Sequence, residues 1–176
     1  LPVISDPMPK NVKVAFRDAQ AGTATDLHLK ELSVEEAAGD LLATQLVAVI
    51  NGNDVEVNGT VGSMAELTAP SRPWPLKLNI AGPGARAQIQ GTVAPPPQAK
   101  GIALTIGGEV PDLARLASAF GATAPALPVK LQAQVKDNGP QRYALSGLAA
   151  NIGPNDLTGS GEISLAGARP SLRLDL

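Results

Sequence analysis

The feature that most constrains this chain is an alternation of period two that recurs from one end to the other. Val12, Val14 and Phe16 alternate with Lys13, Ala15 and Arg17; Leu27 and Leu29 flank His28; Val55 and Val57 flank Glu56. The pattern returns at Leu76, Leu78 and Ile80, at Ala87, Ile89, Gly91 and Val93, and at Ile102, Leu104 and Ile106. Val129, Leu131, Ala133 and Val135 extend it, followed by Tyr143, Leu145 and Gly147, by Ile163 and Leu165, and by Leu172, Leu174 and Leu176. Side chains of a strand point alternately to its two faces, so each run writes a half-buried strand with one apolar side. In "INGND" (50–54) and "KDNGPQ" (136–141), Asn-Gly supplies the positive φ angles that tight hairpins need. Together these predict a mainly β protein, an antiparallel meander.

One stretch breaks the period. In "PDLARLASAFG" (111–121), Leu113, Leu116, Ala117 and Phe120 fall at helical spacing; Asp112 can cap the free amides and Gly121 can end the turn. A short amphipathic helix packed on the sheet is expected there, and a shorter one around Ser63 to Leu67. The two helices belong to an internal repeat. "GTVGSMAEL" (59–67) matches "GEVPDLARL" (108–116), and downstream "PLKLNI" (75–80) matches "PVKLQA" (128–133). A strand, helix, strand unit is thus used twice, in halves of about 46–107 and 108–176, within one domain over 1–176. Repeats of this size favour an elongated, stackable architecture. The last run, Leu172 to Leu176, is then expected to continue into or pair with a further β segment, because an unpaired apolar edge invites aggregation. Self-association through edge strands follows from the same reasoning.

Composition removes several function classes. The chain is 44% hydrophobic but only 2% aromatic: Phe16, Trp74, Phe120 and Tyr143. Domains that read bases, sugars or peptides commonly use aromatic platforms, and these are too few. Net charge is −2 and the Lys and Arg residues are scattered, so the electrostatic footprint of a nucleic-acid partner is missing. Cysteine is absent, which removes disulfides and thiolate metal sites and leaves the compartment open. The longest apolar run, "LLATQLVAVI" (41–50), falls short of the roughly 18 residues of a membrane helix. "LPVISDPMPK" (1–10) has neither the basic start nor the apolar core of a signal peptide, and the chain reads as a piece of something longer.

Motifs of chemistry were weighed against structural readings, and each gives way. "GPGARA" (82–87) matches a dinucleotide pattern but lies between two strands, with Pro83 at the turn and no helix to receive a phosphate; a hairpin turn is expected. His28, the sole histidine, sits on the polar side of its strand beside Asp26 and Lys30 and is expected to be solvated. Glu35 and Glu36, or Glu109 and Asp112, could be imagined as an acid pair but read as solvated faces and helix caps. Asn58-Gly59-Thr60 spells a glycosylation sequon and reads as a strand that needs Gly59. No catalytic residue, metal ligand or cofactor is therefore assigned, and the expectation is a protein that is not an enzyme.

Several segments together resemble the AsmA-like family of bacterial envelope proteins, relatives of AsmA and TamB. They are "FRDAQAGTATDLHLKELSV" (16–34), "ARAQIQGTVAPP" (85–96), "VPDLARLASAFGATAPALPVKLQAQV" (110–135) and "LAANIGPNDLTGSGEISLAGARPSLRLDL" (148–176). The last has the "IGxxDLxG" turn followed by "RPxLxxxL" that recurs near the C-terminal end of that family's AsmA domain. The resemblance implies a sheet curled into an apolar-lined half-pipe or open barrel, in a periplasmic protein tethered to the inner membrane by an N-terminal helix that this chain lacks. It implies a role in outer-membrane biogenesis, with phospholipid or another envelope lipid shielded or transferred along the apolar groove. Ile89, Val93, Leu104, Ile106, Leu131, Val135, Leu145, Ile163 and Leu165 would then face lipid. The alternation by itself favours an ordinary core closed by a second sheet or by helices, and the resemblance brings the groove level with it. The alternative function is a structural or assembly module that regulates outer-membrane protein insertion, with assembly proteins as partners at its sheet edges.

Overall fold

The computed structural model describes residues 12–18, 23–68, 73–93, 101–165 and 170–176, with side chains from Leu27 onward except at 67 and 68. The reading of residues 1–10 lies outside these. Among the described residues, eleven strands form one sheet in which each strand is hydrogen-bonded to the next in sequence. They are β1 (Val12–Asp18), β2 (Thr23–Ala37), β3 (Leu41–Ile50), β4 (Asn53–Gly62), β5 (Trp74–Gly82) and β6 (Ala85–Val93). The second half comprises β7 (Ala103–Val110), β8 (Val129–Asp137), β9 (Arg142–Ile152), β10 (Asn155–Ser164) and β11 (Ser171–Asp175). All ten pairings are antiparallel. The sheet is not closed: β1 and β11 are its two edges. The expected curled meander with two short helices is what the chain forms.

Local chemistry explains the turns. Asn51 and Gly52, at φ 50° and 81°, make the tight connection between β3 and β4. Pro83 and Gly84 join β5 to β6, so the dinucleotide-like stretch is indeed a hairpin turn. The loop between β8 and β9 departs from expectation. There Gly139 and Gln141 take positive φ, not Asn138. Pro140 steers the residue before it out of the right-handed helical region, so the loop widens beyond a two-residue Asn-Gly turn. It is closed by the Asn138 N–H donating to Arg142 O at 2.9 Å.

The two helices are α1 (Met64–Thr68) and α2 (Leu113–Ala119). Ser63 Oγ accepts from the Glu66 N–H at 3.3 Å, and Asp112 Oδ1 accepts from Ala114 and Arg115 N–H at 3.0 and 3.3 Å, so both N-terminal caps are in place. Gly121 ends α2 at φ 73°. The repeat extends to strand register. Gly59 stands opposite Leu78 and Thr60 opposite Lys77 in β4 and β5, while the matching Gly108 stands opposite Leu131 and Glu109 opposite Lys130 in β7 and β8. β4 and β7 run in opposite directions, so α1 and α2 sit at opposite margins of the sheet.

Glycines and bulges let the sheet curl. A Cβ on Gly59 would lie 1.9 Å from Lys77 O, and one on Gly91 1.9 Å from Ala103 O. The neighbouring strand thus occupies the place of a side chain at both positions, as at the bends of curved sheets. Register shifts between Leu29 and Glu31, between Gln132 and Gln134, and between Gly159 and Gly161 add local bends.

Candidate functional site

Register sorts the side chains into two faces. On one, Leu32, Leu46, Val57, Ile80, Ala87, Gly108, Leu131, Ala150 and Leu157 stand opposite one another in turn from β2 to β10. A parallel row runs Leu42, Val61, Leu76, Gly91, Leu104, Val135, Leu145, Gly161 and Leu174 from β3 to β11. Between them lie Leu78, Ile89, Ile106 and Ala133. The other face is polar: Lys77, Gln90, Thr105 and Gln134 form one row, and Arg86, Glu109, Lys130, Asn151 and Asp156 another. With neighbouring strands about 4.8 Å apart, the nine spacings from β2 to β11 give the apolar face a run of roughly 43 Å across the strands.

This face is not a sealed core. Among the described residues, Ala48 and Ala133, at 2% and 6% exposure, are the buried hydrophobic side chains, and no large side chain is fully buried. Most of the remaining face is half-buried, and Leu131, Leu157 and Leu174 are exposed. Eight of the nine expected groove residues lie on this one side by register: Ile89 and Ile106 adjacent, Leu104, Val135 and Leu145 in one row, Leu131 in another, Val93 opposite Trp74, and Ile163 opposite Tyr143 and Leu172. Leu165 follows the end of β10; its N–H donates to Gln141 O at 2.8 Å and its side chain is exposed.

Sequence reasoning passed over the β2 and β3 contributors Leu32, Leu42 and Leu46. In "LLATQLVAVI" both parities are apolar, since Val47 and Val49 occupy the opposite face, and that hides the alternation. The pairing in β4 was legible at Val55 and Val57, and extending its parity backward across the Asn51–Gly52 turn would have found Leu46 and Ala48.

Two structures guard the margins. At one, α2 lies over the apolar side of β4 to β8 and roofs an open-sided cavity of about 350 Å³ lined by Leu116 and Phe120 of the helix and by Val55, Ile80, Val110 and Leu131 of the sheet, among others. Asn53 Nδ2 donates to Ala119 O at 2.6 Å, tying the helix end to the start of β4. At the other margin Asp137 Oδ2 accepts from the Gly101 and Ile102 N–H groups and holds that segment against β8. Trp74 Nε1 donates to Ser63 O at 3.1 Å beside α1.

The acidic pairs dissolve into structure. Glu109 is ion-paired with Lys130 at 3.4 Å, and Asp112 caps α2. Glu35 lies on the polar face and Glu36 on the apolar side, opposite Leu42, at the end of β2. His28 corrects the expectation of a solvated side chain. The residue is half-buried, and its Nε2 is shielded from solvent and makes no hydrogen bond among the described residues, with Val49 standing directly opposite in β3. No group of His, Asp or Glu able to hold a metal occurs among the described residues. No described helix is long and apolar enough to cross a membrane. No protein-family model, curated protein or solved structure matches the chain.

Proposed function

We propose that this chain is a lipid-handling module, which shields or transfers hydrocarbon along the apolar face of its open sheet, and that it works in the bacterial envelope as an AsmA-like protein tethered to the inner membrane. One observation carries the reading: a continuous apolar face crosses the strands of the sheet, and its large side chains remain half-exposed among the described residues. Contiguous apolar surface on this scale marks a place of interaction. Its side chains are chiefly aliphatic or small, which suits acyl chains that slide, and no charged ligand is required. Each buried methylene contributes about 0.8 kcal/mol, so half-burying one acyl chain offsets several kcal/mol of extraction from a bilayer. A bilayer's hydrocarbon core is about 30 Å thick, so one leaflet's chain of about 15 Å lies across three or four strands.

The test is photo-crosslinking. A benzophenone side chain at Ile106, on the apolar face, is expected to yield phospholipid adducts by mass spectrometry, and one at Thr105, on the polar face, is not. Equal labelling at both, or none at either, overturns the proposal. The edge strand supports the alternative of an assembly module, since all of β11 is exposed and Leu172 is 60% accessible. Organic extracts free of lipid, together with a stable protein partner at β11, would favour it.

A further inference from the structure

We infer that the space beneath α2 is a binding site for the hydrocarbon tail of a single-chain anionic amphiphile, a fatty acid being the simplest member of the class. The inference rests on the reading that the apolar face meets lipid, and it gives that face a discrete site with one kind of occupant. The cavity of about 350 Å³ lies within the range of roughly 300–1,000 Å³ typical of small-molecule sites. An apolar cavity of about 150 Å³ accommodates the six carbons of benzene, so by proportion this one holds about fourteen carbons, one chain rather than two.

Its shape follows from sequence. Gly82, Ala85, Ala87 and Gly108 leave the floor shallow under the helix, while Leu116 and Phe120 form the roof. The roof is not a finished core: Phe120 is 48% exposed and Leu131 on the floor 42% exposed, so filling the space would cover apolar surface that now meets water. The helix is fastened at its far end by the Asn53 to Ala119 bond and at its start by the Leu113 N–H donating to Leu127 O at 3.0 Å, which holds the roof over the floor.

The charge at the rim selects the head group. The stem of Arg115 lies against the Pro83–Gly84 turn, with Cδ 3.5 Å from where a Cβ on Gly84 would stand, and Pro83 lines the cavity. Among the described residues, none forms an ion pair with the Arg115 guanidinium. Arg86 and Glu109 also border the cavity, but their register turns both side chains to the polar face, opposite each other. A carboxylate or phosphate carried on a chain lying beneath α2 and leaving past the Pro83–Gly84 turn would emerge beside Arg115, a forked donor that suits such anions.

Calorimetric titration of the full chain with tetradecanoate, below the concentration at which it aggregates, tests the site. The expected result is a saturable isotherm at one ligand per chain, about two- to fivefold weaker for tetradecanol, with Arg115→Gln reducing tetradecanoate to the level of the alcohol. Ala87→Phe, which fills the floor, is expected to abolish the isotherm. Leu116→Trp fills the same space from the roof, so the test survives if the first variant fails to fold, which circular dichroism would report. Absence of tetradecanoate binding, or binding unchanged in folded forms of both variants, overturns the inference. The lipid adduct at position 106 is read in parallel. An adduct retained while tetradecanoate does not bind removes the site and leaves the broader reading standing; tetradecanoate bound beneath α2 with no adduct at 106 does the reverse.

Discussion

At the scale of single residues, the sheet is governed as much by missing side chains as by apolar ones. Gly91 sits at φ 139° with the Ala103 carbonyl where its Cβ would be. Gly91→Ala therefore combines backbone strain with a steric overlap that only a strand shift relieves, and is expected to cost roughly 3 kcal/mol, measured by urea unfolding. Ile163 tests the nature of the apolar face. It stands between Tyr143 and Leu172 and is half-buried. On an open face the head of an arginine reaches water along its stem, so Ile163→Arg is expected to lower the melting temperature by no more than about 4 °C while abolishing lipid adducts. Unfolding at ambient temperature would show that this position is sealed. The parity of Ile163 was legible from its neighbours in sequence, whereas the shielding of His28 was not, because it depends on Val49 across the strand pair.

At the scale of elements, α2 shows what periodicity conveys and what it leaves out. Leu113, Leu116, Ala117 and Phe120, with Asp112 ahead and Gly121 behind, were sufficient to place the helix. None of its residues is fully buried, because it covers a cavity rather than a packed layer, and no one-dimensional pattern reports that. Leu116→Asp is accordingly expected to destabilise by about 1–2 kcal/mol, less than a charge sealed in a core, with thermal melting as the measure. Asp112→Ala removes the acceptor for two amides and is expected to cost about 1 kcal/mol. The repeated strand, helix, strand unit was legible as matched words in the sequence, and its shared register follows from Gly59 and Gly108 occupying equivalent places. The bulges at β2 and β9 shift the alternation by one residue, from Leu29 to Leu32 and from Leu145 to Ala150, so a strict period-two reading passes over them.

At the scale of the whole molecule, the order of strands was legible from hairpin turns and short connections, but the openness of the sheet was not. An alternating strand reads the same whether its apolar side meets a second layer, lipid or water. The edges carry their own prediction. β11 pairs with β10 on one side, and Leu172, Leu174 and Leu176 beside it are exposed. The protein is expected to dimerise by strand pairing at this edge, with light scattering showing a concentration-dependent rise in mass that Leu174→Lys suppresses. A strict monomer at high concentration would count against it. The register shared by the two repeat units has a consequence for how such a molecule acquires its length. Each further hairpin lengthens the sheet by about 10 Å across the strands and leaves the earlier hairpins and their pairings untouched. Span is therefore set by a count of hairpins, and duplication of a short stretch of gene is enough to widen the apolar face.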